Sequence, residues 1–251
     1  MAFRSALITG ASSGIGAAIA HTLAAEGSSV VLAARREDKL AEVAESIAKA
    51  HGADKVRVQV LDVSDPERTE ATVRELDGEL AFDLVIANAG VSKSTPGPKL
   101  SWKAVETVVS VNVCGAVATL TGALPGMVER GAGHLVGVSS VAKYRGLPSS
   151  AAYCASKAFL STFLESLRVD LHHAGIRVTD IRPGFVETEM TAGIPNKPFE
   201  VTAADAAQRV VRAIHRGRGV FIFPVPMTVF GPIMGAMPSA LLEPMMRQTK
   251  K

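Results

Sequence analysis

Little in this chain is aromatic, sulfur-bearing or strongly charged. Of its 251 residues only 5% are Phe, Trp or Tyr, two are Cys, and the formal net charge is +3. So few aromatics, with no Lys/Arg cluster interleaved among them, exclude a stacking platform for nucleic acid. Cys114 and Cys154 stand far apart, without a Cys-x-x-Cys pair or a histidine at zinc-ligand spacing. No metal site is expected, and both cysteines read as free thiols in a reducing compartment. Met1 to Gly10 is strand-like and runs straight into a glycine-rich loop, leaving no charged start, apolar run and cleavage site of a secretory signal; a cytoplasmic location is expected. The longest weakly charged stretch, Val220 to Pro238, is broken by Pro224, Pro226, Pro232 and Pro238, which argues against an uninterrupted spanning helix. Residues 201–251 hold seven Lys/Arg against two Asp/Glu, while the first 200 residues sum to −2, so the basicity belongs to the C-terminal tail.

What the chain does have is apolar residues, 47% of the total, arranged in short runs that alternate with segments of helical period. Ala6 to Thr9, Ser29 to Ala34, Val56 to Leu61, Leu84 to Ala87, His134 to Val138, Val178 to Ile181 and Val220 to Phe223 read as strands. Helices are expected over Ile15 to Ala25, Lys39 to Ala50, Arg68 to Leu80, Trp102 to Val128, Ala152 to His172 and Ala203 to Arg216. The strands are apolar without a polar face, the pattern of a parallel sheet covered on both sides. One doubly wound α/β domain of about seven parallel strands is expected over residues 1–223, followed by an apolar, Met- and Pro-rich extension over residues 224–251. Thr191 to Glu200 is a polar, proline-containing loop too long for a tight connection, of the kind that works as a lid.

Thr9-Gly10-Ala11-Ser12-Ser13-Gly14-Ile15-Gly16 lies between the first strand and the first helix, where a doubly wound fold binds a nucleotide. Gly10 suits the tight turn, Gly14 the approach of backbone to a pyrophosphate and Gly16 close packing of the helix, whose first N–H groups attract an anion. The spacing Gly-x-x-x-Gly-x-Gly departs from the commoner Gly-x-Gly-x-x-Gly, and a glycine-rich turn without a ligand is the bland alternative. At the end of the second strand, where a NAD site offers an acid to the ribose, the chain reads Ala33-Ala34-Arg35-Arg36. Bidentate hydrogen bonds from Arg35, with Arg36 stacking on adenine or adding charge, suit the 2′-phosphate of NADP; the alternative is a solvated arginine pair. Glu37 and Asp38 read as first-turn acids of the next helix.

Tyr153 and Lys157 stand four residues apart on one expected helix and share a face. An ammonium beside a phenol favours the phenolate, which would lower the Tyr153 pKa and suit it to proton transfer. Such pairs also occur as ordinary packing or surface bridges. Trp102, at the start of a helix, reads as a packing anchor, and Cys154 as a small buried filler.

Taken together, the Gly10 to Gly16 loop, Asn88-Ala89-Gly90 after the fourth strand, Tyr153-Cys154-Ala155-Ser156-Lys157 and Pro183-Gly184 resemble the short-chain dehydrogenase/reductase family, in order and spacing, from the first strand to about Thr188. The resemblance implies a Rossmann-type fold and an oxidoreductase that interconverts a ketone and a secondary alcohol with a nicotinamide cofactor. By position it also implies a catalytic set of Asn112, Ser140, Tyr153 and Lys157. Tyr153 would pass the proton and Ser140 bond the carbonyl oxygen. Lys157 would hold the nicotinamide ribose, and the Asn112 amide would hold a water that refills the proton. The implied cofactor contacts are Gly10, Ser12, Ser13, Gly14, Ile15 and Gly16 at the phosphates, Arg35 and Arg36 at the ribose phosphate, and Asp62 and Val63 at adenine. Asn88, Ala89 and Gly90 are implied as cofactor contacts too, with Tyr153 and Lys157, Lys157 at the nicotinamide ribose, and with Pro183, Gly184, Val186 and Thr188, Thr188 at the nicotinamide carboxamide. Asp62 has a second reading as a helix cap, and Asn88 as a tie between loops. Ser13 stands where many NADP users of the family carry Arg or Lys.

A small carbonyl or alcohol substrate, hydrophobic in character, is expected to meet Val141 to Pro148 and the loop over residues 185–200. The competing readings are a non-catalytic NADP-binding regulator and a peripheral membrane or partner-docking protein. A homodimer or homotetramer is expected through the helices at Trp102 to Val128 and Ala152 to His172, by way of Val105, Val109, Val113, Phe159, Phe163 and Leu167. In the tail, Met227, Val229, Phe230, Ile233, Met234 and Leu241 need cover, from the substrate pocket, a subunit interface or a membrane facing the basic end at Lys250 and Lys251.

Overall fold

Seven parallel strands form one sheet in the order β3-β2-β1-β4-β5-β6-β7, in a computed structural model that describes residues 3–248. The strands are β1 (Ser5–Thr9), β2 (Ser29–Ala34), β3 (Val56–Val60), β4 (Leu84–Ala87), β5 (Gly133–Val138), β6 (Ile176–Pro183) and β7 (Val220–Phe223). Neighbouring side chains on a strand point to opposite faces, so an inner strand must be apolar at every position. In β1, Ile8 joins the core under α1 (Gly14–Ala25), α2 (Glu37–His51) and α7 (Ala203–His215), while Leu7 joins the core on the other side. That second layer is built by α3 (Pro66–Leu80), α5 (Ala116–Arg130) and α6 (Ala151–Asp170). β3 departs from the expected pattern: it is an edge strand, and Val58 and Val60 are exposed.

The strand order reverses between β1 and β4, the crevice where doubly wound sheets bind ligands beyond the strand C-terminal ends. The helix expected at Trp102 to Val128 is longer and interrupted: α4 (Trp102–Val109) passes through a π-helical turn at Ser110–Gly115 into α5. Among the described residues this Trp102–Arg130 span alone is long and apolar enough to cross a membrane, and more than half of its most apolar 18-residue stretch is buried in the protein. Trp102 is not the packing anchor expected from sequence, since it is 71% exposed. Cys154 is buried, as expected.

The extension folds into α8 (Val225–Ala236) and α9 (Ser239–Gln248). α8 lies on the segment that follows β5, where Gly231 and Gly235 approach the Tyr144 ring so closely that a Cβ at Gly231 would stand 2.8 Å from it. Arg145 donates to the carbonyls of Met234 and Met237. Met227 and Leu242 are buried, whereas Val225, Val229, Phe230 and Ile233 leave an apolar face open. The basic end at Lys250 and Lys251 lies outside the described residues.

Candidate active site

The loop after β1 makes a tight turn in which Gly10 and Gly14 take left-handed φ of 68° and 56°, a region that a Cβ disfavours. A Cβ on Gly16 would stand 2.4 Å from the Gly10 carbonyl oxygen, so only glycine lets α1 start this close to the loop. Ser13 occupies the N-cap position of α1 but makes no capping hydrogen bond, and the first turn carries no acid. The N–H groups at the start of α1 therefore have no side-chain partner, which leaves the positive end of the helix for an anion. Asn88 ties this loop down: its Nδ2 donates to the Thr9 and Gly10 carbonyls at 2.9 and 3.3 Å. Thr9 returns the contact, accepting from the Asn88 and Ala89 N–H groups.

A cleft of about 450 Å³ opens over these loops. Of the site residues expected from sequence, all line it except Gly16, which is buried beneath the loop, and Asn112. The cradle fits a dinucleotide: glycines where a side chain would intrude, an uncapped helix start, and Thr188, whose methyl would lie 3.0 Å from a Cβ on Gly14.

The two arginines are placed differently. Arg36 turns inward, its guanidinium donating to the Ser12 and Ser13 hydroxyls at 3.2 and 2.7 Å and pairing with Glu189 at 3.0 Å. Glu189, which the sequence reading did not single out, thus competes for the cation. Arg35 is exposed and makes no hydrogen bond or ion pair among the described residues. Asp62 does not cap α3; it accepts from the Ser64 N–H, and Asp65 is the cap, accepting from the Arg68 N–H.

At the other end of the cleft, α6 presents Tyr153 and Lys157 on one face, with the Lys157 ammonium 5.7 Å from the Tyr153 ring centroid. Lys157 is buried and donates to the Val138 carbonyl at 2.8 Å. Burial draws its pKa down to about 8, with the charge of Asp180 acting in the opposite direction. For Tyr153 the sequence expectation is reversed: burial raises its pKa, and the nearby Ser140 hydroxyl offsets only part of the rise. Ser140 accepts from the Ala142 N–H and donates to the Pro183 carbonyl over a long 3.4 Å.

Asn112 is buried, and its amide is committed. Nδ2 donates to the Val91 carbonyl and the Ser156 hydroxyl, both at 3.0 Å, and Oδ1 accepts from the Val91 N–H at 2.8 Å. The amide therefore has no N–H left to hold a water, as the resemblance implied; it clamps the β4 loop to the π-helical turn. Sequence reading also missed a buried cluster of Asp180, Ser139, Ser161 and Arg182 under this end of the cleft. The available signal was a pair of opposite charges, Asp180 and Arg182, two residues apart in one strand.

The chain also resembles known proteins. The family described as short chain dehydrogenase matches residues 4–198, and the chain belongs to this family of short-chain dehydrogenases/reductases. An uncharacterised oxidoreductase of Myxococcus xanthus is 45% identical over 253 residues, across 100% of this chain and 99% of its own. A short-chain dehydrogenase of Sphingobium yanoikuyae, solved with NADPH, superposes with a TM-score of 0.82 at 25% identity over 94% of this chain and 97% of its own. A family member from Burkholderia phymatum, solved with NAD, gives 0.83 at 25% identity over 91% and 92%. The protein is an oxidoreductase of the nicotinamide-dependent class.

Proposed function

We propose that this protein reduces a hydrophobic ketone to a secondary alcohol with NADPH, or runs the reverse oxidation with NADP. One observation carries the reading: Ser140, Tyr153 and Lys157 open together into a cleft whose far end is the uncapped start of α1. Hydride comes from, or returns to, the nicotinamide ring when the cofactor is bound. Tyr153 moves the proton. Because burial keeps its phenol protonated at neutral pH, Tyr153 is an acid ready to donate to the carbonyl oxygen during reduction. Ser140 can turn its O–H from the long contact with Pro183 towards the same oxygen as charge builds there. Lys157 holds the ribose hydroxyls and stabilises the phenolate that donation leaves on Tyr153. The carbonyl thus gains one hydride at carbon and one proton at oxygen. A regulator that only bound the cofactor would have no need for Tyr153 and Lys157 together, because the proton-transferring phenol adds nothing to binding.

The preference for NADP rests on the missing acid at the end of β2 and on Arg35 and Arg36 in its place. Related structures hold NADPH and NAD in turn, so the arginines carry the choice. The hydrophobic substrate is supported by α8 against Tyr144 and by Leu147, Met190, Ile194 and Phe199, all exposed on the surrounding segments. Cofactor absorbance followed across a panel of ketones, with NADPH and NADH in parallel, tests the whole reading. Turnover with long-chain ketones and NADPH is expected. Equal binding of NADH and NADPH would remove the phosphate preference, and no turnover with any ketone would remove the activity.

The reading includes a homodimer or homotetramer assembled through α4 and α6, where Trp102 and Phe159 are exposed and Phe159 stacks on Phe163 at 6.1 Å. Light scattering at micromolar concentration should give at least a dimer. The open apolar face of α8, a helix without a charged residue, supports peripheral contact with a membrane. Truncation after Pro224 should then reduce co-sedimentation with anionic liposomes.

A further inference from the structure

Charged side chains are rare in strands sandwiched between helix layers, because an unpaired ion there is costly. β6 carries two that are buried, Asp180 and Arg182, which are 0% and 8% exposed. Two residues apart on a strand, they share a face, and the Arg182 Nε–H donates to Asp180 Oδ2 at 2.7 Å. The carboxylate accepts from two more elements. Ser139, at the end of β5, donates to Oδ1 at 2.5 Å, and Ser161, on α6, donates to Oδ2 at 2.7 Å.

Each of these serines adjoins the reacting groups. Ser139 precedes Ser140 in the chain. Ser161 follows Lys157 by four residues and Tyr153 by eight, so the three lie on one face of α6. The β5 end and α6 are thus fixed to the same buried carboxylate, with a further link from Lys157 to the Val138 carbonyl at 2.8 Å.

Its charge also matters. Lys157 faces Tyr153 on its own helix, Ser140 at the β5 end, the Asn112 amide across Gly90, and Asp180 on β6. Of these, Asp180 is the one with a carboxylate. Arg182 and Lys143 share its field from the other side, with Glu165 acting on Lys143 in the same sense as Asp180.

We propose that Asp180 is a positioning residue for the reaction: it fixes Ser140 relative to the Tyr153–Lys157 face of α6 and supplies the counter-charge that keeps Lys157 an ammonium. The proposal rests on the roles given above to Ser140, Tyr153 and Lys157. Burial already brings Lys157 to about 8, so loss of an opposing charge nearby should lower it by about one further unit.

The test is Asp180→Asn, with lysine labelled by carbon-13 at Cε and the Lys157 signal assigned by its loss in Lys157→Arg. In the ligand-free protein the Lys157 midpoint should fall by about one pH unit. Reduction requires the protonated groups, so the alkaline limb of kcat should move to lower pH by a similar amount. At pH 9, above both midpoints, kcat should therefore drop about tenfold, with KM for the ketone changed less than about twofold. An unmoved Lys157 midpoint with an unmoved alkaline limb overturns the proposal. Should Asp180→Asn not fold, Ser161→Ala decides: it keeps the charge and removes one donor, so kcat should fall severalfold at constant KM. A Ser161→Ala protein that loses only thermal stability makes the cluster purely structural and overturns the proposal. Tyr153→Phe, assayed beside them, separates the two ideas: retained turnover there refutes the reaction, while the Lys157 titration still judges Asp180.

Discussion

At the cofactor end of the cleft, Asn88 ties the β4 loop to the Thr9 and Gly10 carbonyls with a neutral amide; at the reaction end, Asp180 gathers Ser139, Ser161 and Arg182 with a buried charge. Both fasten loops at strand ends, and both are partly or wholly hidden from water. The amide clamp is indifferent to pH, which suits a surface whose task is to receive phosphates of fixed charge. A carboxylate clamp is costlier to bury, yet it acts through space on a neighbour whose protonation the chemistry uses. The two ends can therefore be broken separately, one through binding and the other through turnover.

The largest separation should come from Tyr153→Phe. Turnover should fall at least about a hundredfold, the usual scale of general acid catalysis, while NADPH binding followed by fluorescence stays near the native value. Lys157→Ala, which removes both the expected ribose contact and the partner of Tyr153, should damage binding and turnover together. Arg35→Asp should do the reverse of Tyr153→Phe. It replaces a charged partner by a repulsive one, and one charged hydrogen bond is worth roughly 1.5 to 3 kcal/mol, so NADPH binding should weaken about ten- to a hundredfold with NADH little affected. Calorimetric titration with the two cofactors measures this directly.

Asn88→Ala should sharpen the contrast in stability. It strips two hydrogen bonds from the Thr9 and Gly10 carbonyls, a loss of about 1 to 3 kcal/mol by urea denaturation, and the loss should be the same at pH 6 and pH 9. The smallest effect is expected from Glu189→Gln. Its pair with Arg36 is exposed and so worth at most about 1 kcal/mol, and freeing Arg36 should tighten NADPH binding by less than about fivefold.

The cofactor end was far more legible in the sequence than the reaction end. Gly10, Gly14 and Gly16 announce themselves because only glycine satisfies a left-handed turn and a close approach, so residue type and spacing carry the geometry. Tyr153 and Lys157 were legible for a similar reason, being one helical turn apart on a single element. Asp180 was not, because Ser139 and Ser161 lie far away in the chain, and the Arg182 charge two residues on does not by itself show that both ions are buried. The direction of the Tyr153 pKa was misread on the same ground: the nearby ammonium is visible in sequence, while the burial that outweighs it belongs to the tertiary fold. Trp102 failed in the opposite sense, since an aromatic at a helix start looks like an anchor until the helix is seen to turn it outwards. Glu189 reaches Arg36 only because the loop after β6 folds back towards the loop after β2.

The π-helical turn at Ser110–Gly115 sets one further condition on this chain. A turn of that kind holds one residue more than a regular helix needs, and each residue of an α-helix advances the side chains by 100°. Within the turn, Asn112 grips Val91 through its amide; downstream, Gly122 of α5 lies so close to α3 that a Cβ there would stand 2.8 Å from the Glu70 carbonyl oxygen. Removing a single residue from the turn would give a more regular helix and a worse protein, because Asn112 and Gly122 could no longer both face their partners. Length, and not composition alone, is thus part of what this segment encodes, and a family member lacking that one residue would have to hold its β4 loop by some other means.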